Sequence, residues 1–432
     1  MTLWGIAWGY LWNRKFTAIL TILSVALAVA LISSVLTLRE ETRKRFEEEG
    51  QAFDLVVGAK GSPLQLVLSS VYFMDNPTGN IPWEVYEQIK NDKEYVQIAY
   101  PIALGDNYQG FRIVGTEKGL FQHKWISPIT GEERQPFQVA KGRIFEQSFE
   151  AVLGALVAKE TGLDIGDSFI SSHGFVNLPE VLGGHGHEQH PYVVVGILKP
   201  SNSPFDRAIF TSIDSVWDIH ANHEEEKEIQ SGKSPEEEGD IRYQEWGKNP
   251  RSMITAVLVQ LQSPALRFQY REMIRESTVA MAATPVEEIS KLFEQFLGTA
   301  KTVLLTIGYL VVVVSALSIM IGLYLAIIQR RRDLAIMRAL GASRVEIFGS
   351  VLIEAFWITL LGIFVGYVLG GIVSKIVGLY LTQKYGLSVT PFILTPEHIT
   401  SFATVAVMGL LAGIIPAWQA YRRNIARDLM EL

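Results

Sequence analysis

The chain has 432 residues, no cysteine and a formal net charge of −7, and 48% of its residues are apolar. The lack of cysteine excludes a disulfide-stapled fold, and the acidic balance argues against a nucleic-acid partner. The apolar residues are concentrated in long uncharged runs at both ends of the chain, which is typical of a membrane protein.

Residues 1–15 predict an amphipathic helix at the membrane interface. Trp4, Trp8 and Trp12 recur every four residues, so the three indoles share one face of that helix. An apolar run follows at once and continues past Ala30, the position that most resembles a signal-peptide cleavage site. Because this run is longer than the apolar region of a signal peptide, we interpret it as a transmembrane helix.

Four apolar runs are long enough to span a hydrocarbon core, which takes about 20 helical residues. The predicted transmembrane helices are residues 16–38, 303–328, 349–380 and 399–421. Ten basic residues lie on one side of these spans: Arg14, Lys15, Arg330, Arg331, Arg332, Arg338, Arg344, Arg422, Arg423 and Arg427. The positive-inside rule places this side, both termini and the tail 422–432 in the cytoplasm.

Residues 39–298 form a hydrophilic block between the first two spans, with 25 Lys and Arg against 39 Asp and Glu. Alternating segments predict strands and periodic segments predict helices, for example a strand over 192–198 and a helix over 151–161. The expected fold class is a membrane protein with four transmembrane helices and a large α+β extracytoplasmic domain inserted between helices 1 and 2.

Two stalk helices are predicted to join this domain to the membrane, over residues 39–49 and 284–302. Thr284 and Glu287 have the spacing of a capping box, and Pro285 suits the first helical turn. No sequence signal interrupts the second stalk before the span that follows it. We expect the stalks to pack together and to transmit movement rigidly.

The segment 329–348 predicts a short helix that is joined to the third span by a tight cytoplasmic elbow. Its apolar face consists of Leu334, Ile336, Met337 and Leu340. Gly341 suits the left-handed residue that ends a helix, and Ser343 with Glu346 has the spacing of a capping box. Composition alone also allows an ordinary basic loop, which the positive-inside rule would produce anyway.

Small residues recur every four positions in the last two spans. The residues are Gly362, Gly366 and Gly370 in the third span and Gly409 and Gly413 in the fourth. Such spacing lets helices approach closely in lipid. We expect these glycines to pack helices within one chain, with a dimer interface as the alternative. Glu354, two turns past the elbow, is interpreted either as an interfacial residue or as a functional carboxylate inside the membrane.

Residues 333–343, DLAIMRALGAS, together with Ile347 and Glu354, closely resemble the signature of MacB/FtsX-type ABC transporter permeases. Residues 413–420, GIIPAWQA, resemble the Pro-Ala motif that closes the last span of these proteins. The order of one span, a large outer domain and three further spans matches over essentially the whole chain.

This resemblance implies a stand-alone permease subunit of the mechanotransmission type, without an ATPase domain of its own. The sequence accordingly contains no G-x-x-x-x-G-K-[ST] motif, so we do not expect an enzyme. The implied partners are a second permease copy, which would make a homodimer, and a dimeric cytoplasmic ABC ATPase that carries ATP and Mg²⁺. The implied location is the inner membrane, with the large domain in the periplasm.

The resemblance also implies that the elbow is the coupling helix. The ATPase-coupling residues would be Arg331, Arg332, Asp333, Leu334, Met337, Arg338, Leu340, Gly341 and Ser343. By analogy, the outer domain would divide into a porter-like core, residues 50–115 and 250–283, and an insertion, residues 116–249.

Histidines are concentrated in the predicted insertion. Five of them form a candidate metal site: His185, His187, His190, His220 and His223. Imidazole groups suit zinc, although a solvated polar loop with fortuitous histidines gives the same composition. Zinc is therefore the one cofactor that the sequence suggests for this chain.

We expect an ATP-driven permease subunit that acts on a periplasmic or membrane-embedded substrate such as a lipoprotein or a lipid. One alternative is a non-transporting signal transmitter that activates a periplasmic protein or lipoprotein. The other is zinc handling through the His-rich loop.

Overall fold

The computed structural model describes residues 3–127, 131–172, 190–219, 253–277, 279–385 and 389–422. The chain divides into two compact units. The helical unit comprises Met1–Thr42, Gln295–Tyr380 and Val389–Leu432, and the globular unit comprises Arg43–Glu294 and Leu381–Ser388.

The helices follow the apolar and amphipathic runs of the sequence. In chain order they are α1 (Leu3–Asn13), α2 (Lys15–Gly50), α3 (Pro63–Ser70), α4 (Trp83–Asn91), α5 (Ala155–Thr161), α6 (Arg267–Ser277), α7 (Pro285–Leu292), α8 (Gly298–Gln329), α9 (Arg331–Ala339), α10 (Arg344–Tyr385) and α11 (Pro396–Arg422). Four helical stretches are long and apolar enough to cross a membrane: Lys15–Gly50, Pro285–Gln329, Arg344–Thr382 and Pro396–Arg422. Each contains one of the predicted spans.

The second stalk differs from its prediction. A π-helical turn, Phe293–Leu297, lies between α7 and α8, so the helix is not regular throughout. A π turn inserts extra backbone and rotates the faces of the residues that follow it, which a simple periodicity does not anticipate. Phe293 at this turn is buried and lies 5.6 Å, between ring centroids, from Phe46 near the end of α2. The two stalks are thus in contact within the globular unit.

The capping box predicted at the start of this stalk is absent. Thr284 makes no side-chain hydrogen bond to the first turn of α7. The Glu287 carboxylate instead accepts a hydrogen bond of 2.9 Å from Arg271 on α6. An ion pair with a neighbouring helix has replaced the local contact, and the prediction was therefore wrong at this position.

The described strands are β1 (Leu55–Ala59), β2 (Ile81–Pro82), β3 (Val96–Tyr108), β4 (Phe111–Thr116), β5 (Trp125–Ile126), β6 (Glu133–Arg134), β7 (Val139–Gly142), β8 (Glu150–Leu153), β9 (Ser168–Phe169), β10 (Tyr192–Leu198), β11 (Ala208–Ser212), β12 (Met253–Ile254), β13 (Ala256–Leu261) and β14 (Ala280–Ala283). A ten-stranded mixed sheet has the order β14-β1-β13-β3-β4-β11-β8-β10-β7, and β9 pairs with β10. β4 pairs in parallel with β11, and β8 pairs in parallel with β10.

This sheet is continuous across the division that was proposed by analogy. β4 ends at Thr116, at the predicted boundary, and pairs directly with β11 from the predicted insertion. Alternating side chains of the central strands enter the two cores on opposite faces of the sheet. Leu258 of β13 belongs to one core, and its neighbours Val257 and Val259 belong to the other.

The helix predicted over residues 151–161 begins later than expected. Residues 150–153 form β8, which lies between β10 and β11 in the sheet. Gly154 then approaches the backbone of Asp206 so closely that a Cβ atom at this position would collide with it. Pairing with two distant strands outweighs the helical pattern of Ala151 and Leu153, and only residues 155–161 remain helical.

Candidate functional site

The elbow is a short helix, α9, followed by a tight turn into α10. Gly341 in the turn has φ +104, a backbone conformation that favours glycine. The Glu346 backbone N–H donates to Ser343 Oγ at 3.2 Å, and the Ser343 N–H donates to Glu346 Oε2 at 2.6 Å. The capping box predicted for α10 is confirmed, and it fixes the point at which the chain turns.

One side of α9 is anchored in the helical unit. Leu334 and Ala335 are buried, and Leu334 belongs to the same apolar core as Ile347 and Val351 of α10. Leu334 was predicted as a residue that couples to the ATPase. In the structure its side chain is already covered by the chain itself, because the apolar stripe of α9 faces the neighbouring helix.

The other side of the elbow presents apolar side chains to solvent. Leu340 is 84% exposed and Val345 is 69% exposed, and Ile336 is also exposed. Arg331, Arg332 and Asp333 are exposed on the same short helix. We call these six residues the elbow surface. The coupling prediction missed Ile336 and Val345, although the four-residue spacing of Ile336 and Leu340 could have indicated a shared face.

Two further predicted coupling residues support the elbow from within. Met337 is half-buried, and the Tyr10 hydroxyl of α1 donates to its Sδ atom at 3.7 Å. Arg338 Nη1 donates to the carbonyl of Ala342 at 3.1 Å, which closes the turn around Gly341. These contacts hold the shape of the elbow.

Arg330 and Glu354 form a buried ion pair at the root of the elbow. The ring of Tyr10 lies over the Arg330 guanidinium, 4.3 Å from the ring centroid. The sequence analysis placed Arg330 among the headgroup-facing basic residues and left two interpretations open for Glu354. The structure instead pairs them, since burial of either charge alone would be costly. No sequence signal identified Tyr10, which reaches this pair from the N-terminal helix.

Three glycines bring α10 close to α2. A Cβ atom on Gly362 would lie 2.6 Å from Val25, one on Gly366 would lie 2.6 Å from the carbonyl of Ala26, and one on Gly370 would lie 3.0 Å from the carbonyl of Ala30. The matching four-residue steps on both helices run parallel to each other. In this structure the stripe therefore packs helices of one chain.

Two glycines do the same for α11. A Cβ atom on Gly413 would lie 2.7 Å from Ala355 Cβ, and one on Gly409 would collide with Thr359. Both partners belong to α10. Helix α10 thus holds α2 on one side and α11 on another, and it starts directly at the elbow.

The histidine cluster is described only at one member. The His190 ring stacks on Phe149 with 5.0 Å between ring centroids, whereas His185, His187, His220 and His223 lie outside the described residues. Within the described ranges, no group of three His, Cys, Asp or Glu side chains is placed to hold a metal ion. Zinc binding stays a prediction.

Comparison with known families agrees with these features. Residues 18–277, more than half of the chain, match the MacB-like periplasmic core domain, and residues 305–425 match the FtsX-like permease C-terminal domain. A search among curated proteins finds no significant match. The matched domains are membrane components rather than ATPases, and they imply association with a cytoplasmic ABC ATPase. The chain therefore belongs to the MacB/FtsX family of ABC transporter permeases.

Proposed function

We propose that this chain is a permease subunit that couples ATP hydrolysis on a separate cytoplasmic ATPase to movements of its globular unit. The globular unit would lie on the periplasmic side of the inner membrane, and the elbow and both termini would lie in the cytoplasm. ATP and Mg²⁺ would be held by the partner. The observation that carries this proposal is the elbow surface.

The chemistry of the elbow surface suits a groove on a soluble protein. Burying a leucine side chain contributes about 1.5–3 kcal/mol, and Leu340 is 84% exposed at the tip of a rigid turn. Arg331 and Arg332 flank it and would favour an acidic rim around an apolar pocket. A partner of this kind could hold the elbow tightly enough to move it.

The supports behind the surface suit the transmission of force. Leu334 and the Ser343–Glu346 capping box attach α9 to α10, and the Arg330–Glu354 pair attaches the end of α8 to α10. A displacement of the elbow would therefore move both long helices together. Helices of this length act as levers because their backbone hydrogen bonds resist bending.

The substrate would be periplasmic or membrane-embedded, such as a lipoprotein or a lipid, and a second copy of the chain would complete a homodimer. This part of the proposal rests on the family and on the exposed apolar residues of α8, among them Leu310, Val314 and Leu317. Those side chains would face lipid or the second copy. A signal transmitter without a transported substrate remains the main alternative, and reconstituted transport would decide against it.

Zinc handling through the histidine-rich loop is a further alternative. Calorimetry of the full chain with zinc tests it directly. An absence of heat at micromolar zinc would remove this alternative without affecting the coupling proposal.

Co-purification of the permease with a hydrolysis-deficient ATPase in the presence of ATP tests the central proposal. We expect a stable complex with the unaltered chain and at least a tenfold loss of recovered ATPase for Leu340→Asp, since a buried carboxylate would be unpaired in the groove. Ile126→Asp is the matched control, because Ile126 is 71% exposed and lies on β5 of the globular unit. If the unaltered chain recovers no ATPase, the proposal fails.

A further inference from the structure

Helix α1 is docked on the helical unit through aromatic contacts. The Trp8 ring lies 5.2 Å from the Trp357 ring, and the Trp4 ring lies 5.9 Å from the Phe356 ring. Trp4, Trp8 and Trp12 nevertheless keep large exposed surfaces. Indoles that are partly packed and partly exposed are typical of the boundary between lipid headgroups and acyl chains. Helix α1 therefore has the properties of an interfacial helix.

The same helix leads to the buried ion pair of the elbow. Tyr10 stacks on Arg330, and four residues later the half-buried Arg14 faces both Glu354 and Arg330. Burial lowers the pKa of Arg14, and the facing Glu354 carboxylate opposes this effect. Two guanidinium groups thus face one carboxylate, and that carboxylate already pairs with Arg330.

The surrounding charges leave this location positive. The cations are Arg14, Lys15, Arg330, Arg331 and Arg332, and the carboxylates are Asp333 and Glu354. The excess of three positive charges lies where α1 meets the elbow. A positive charge at a lipid boundary is stabilised by the anionic headgroups of neighbouring lipids.

We propose that the notch between α1 and the elbow, centred on Arg14, binds the phosphate group of an anionic phospholipid. The lipid would come from the leaflet on the elbow side. The aromatic surface beside Arg14 favours a lipid over free phosphate, because Trp12 and Phe16 are both strongly exposed and offer contact to acyl chains. The Lys15 ammonium lies 6.0 Å from the centre of the Phe16 ring and adds a second cation at the same place.

A bound phosphate would complete the charge balance of the elbow. It would neutralise Arg14 and leave Glu354 to pair with Arg330 alone. It would also fix α1, whose Tyr10 contacts Arg330 and Met337. Lipid occupancy at Arg14 would then steady the elbow whether or not an ATPase is bound, so this inference does not depend on the proposed coupling.

Native mass spectrometry of the full chain in detergent tests the site. Delipidated protein is titrated with phosphatidylglycerol or with phosphatidylcholine of the same acyl chains, and retained lipid is counted. We expect preferential retention of phosphatidylglycerol, and about a fivefold weaker retention for Arg14→Gln. Arg422→Gln is the charge-matched control, because exposed Arg422 stacks on Trp418 at the end of α11.

Three further arms keep the test decisive. Arg14→Lys should restore most of the preference, which shows that a lost charge and not misfolding explains Arg14→Gln. Inorganic phosphate at the same concentration should fail to displace the lipid. Equal retention of both lipids, equal losses in Arg14→Gln and Arg422→Gln, or displacement by inorganic phosphate would each overturn the proposal.

Discussion

Arg330 and Glu354 are paired inside the helical unit, where their side chains are 8% and 5% exposed. Arg330 follows the last residue of α8, and Glu354 lies on α10 beyond the elbow. A single ion pair thus joins the two long helices on either side of α9. The Tyr10 ring covers the guanidinium and makes α1 the third element of this junction.

Removal of one partner should destabilise the helical unit. Glu354→Ala leaves the Arg330 charge buried and unpaired, which costs roughly 3–5 kcal/mol. Unfolding by sodium dodecyl sulfate in mixed micelles would measure this loss. The double variant Arg330→Met with Glu354→Met should recover most of it, because an apolar pair removes both desolvation costs. An unchanged unfolding midpoint for Glu354→Ala would show that the pair carries no weight.

Leu340 and Met337 should respond differently to the same substitution. Leu340→Asp changes an exposed side chain and should shift the free energy of unfolding by no more than about 0.5 kcal/mol while ATPase recruitment is lost. Met337→Asp places a carboxylate against Tyr10 and should cost on the order of 1–3 kcal/mol in addition. Parallel unfolding and co-purification measurements separate the two effects. Equal destabilisation by both variants would contradict the assignment of an outer and an inner side.

The close approach of α2 and α10 should not tolerate a side chain at Gly366. A Cβ atom there would lie 2.6 Å from the carbonyl of Ala26, and backbone cannot move aside without separating the helices. We expect Gly366→Ala to destabilise the helical unit by about 1–3 kcal/mol in detergent unfolding.

Gly349 provides the matched control within the same helix. No atom lies within 4 Å of its ideal Cβ position, so Gly349→Ala should be neutral or stabilising by about 0.5–1 kcal/mol. If Gly366→Ala behaves like Gly349→Ala, the two helices are not in close contact.

Stability of the globular unit should decrease in mild acid because of His123. This residue is buried, its ring stacks on Phe53 at 4.6 Å, and its Nε2–H donates to the carbonyl of Ala52 at 2.7 Å. Burial lowers the pKa of His123 below the ordinary 6.5, and the Ala52 hydrogen bond and Asp54 only partly offset this effect. The unfolded chain therefore binds the proton first.

The sign of the pH dependence follows from that order. The contribution of His123 is fully present above pH 6.5 and is lost progressively as the pH falls below 6.5. Unfolding followed by tryptophan fluorescence at pH 7.5 and 5.5 measures the difference. His123→Gln should lower stability at pH 7.5 by about 1 kcal/mol and flatten the pH dependence. A slope that persists unchanged in this variant would assign the effect to another group.

Local sequence patterns determined the elements of this protein. The alternating residues 192–198 predicted the strand β10 with its observed bounds, and the Ser343–Glu346 spacing predicted the cap of α10. Such predictions succeed because strand alternation and capping depend on residues a few positions apart. The family signature at residues 333–343 is local in the same sense, and it lies within the matched permease domain.

Tertiary structure decided which side of each element is covered and by what. Tyr10 reaches Met337 across 327 positions of sequence, and no local pattern connects the two. Periodicity grouped Leu334, Met337 and Leu340 on one face, but only the packing of α9 buries Leu334 and leaves Leu340 exposed. The sequence by itself determined a capped, basic elbow between two apolar helices. Helix packing alone decided its inner supports and its outer surface, because burial depends on neighbours that are distant along the chain.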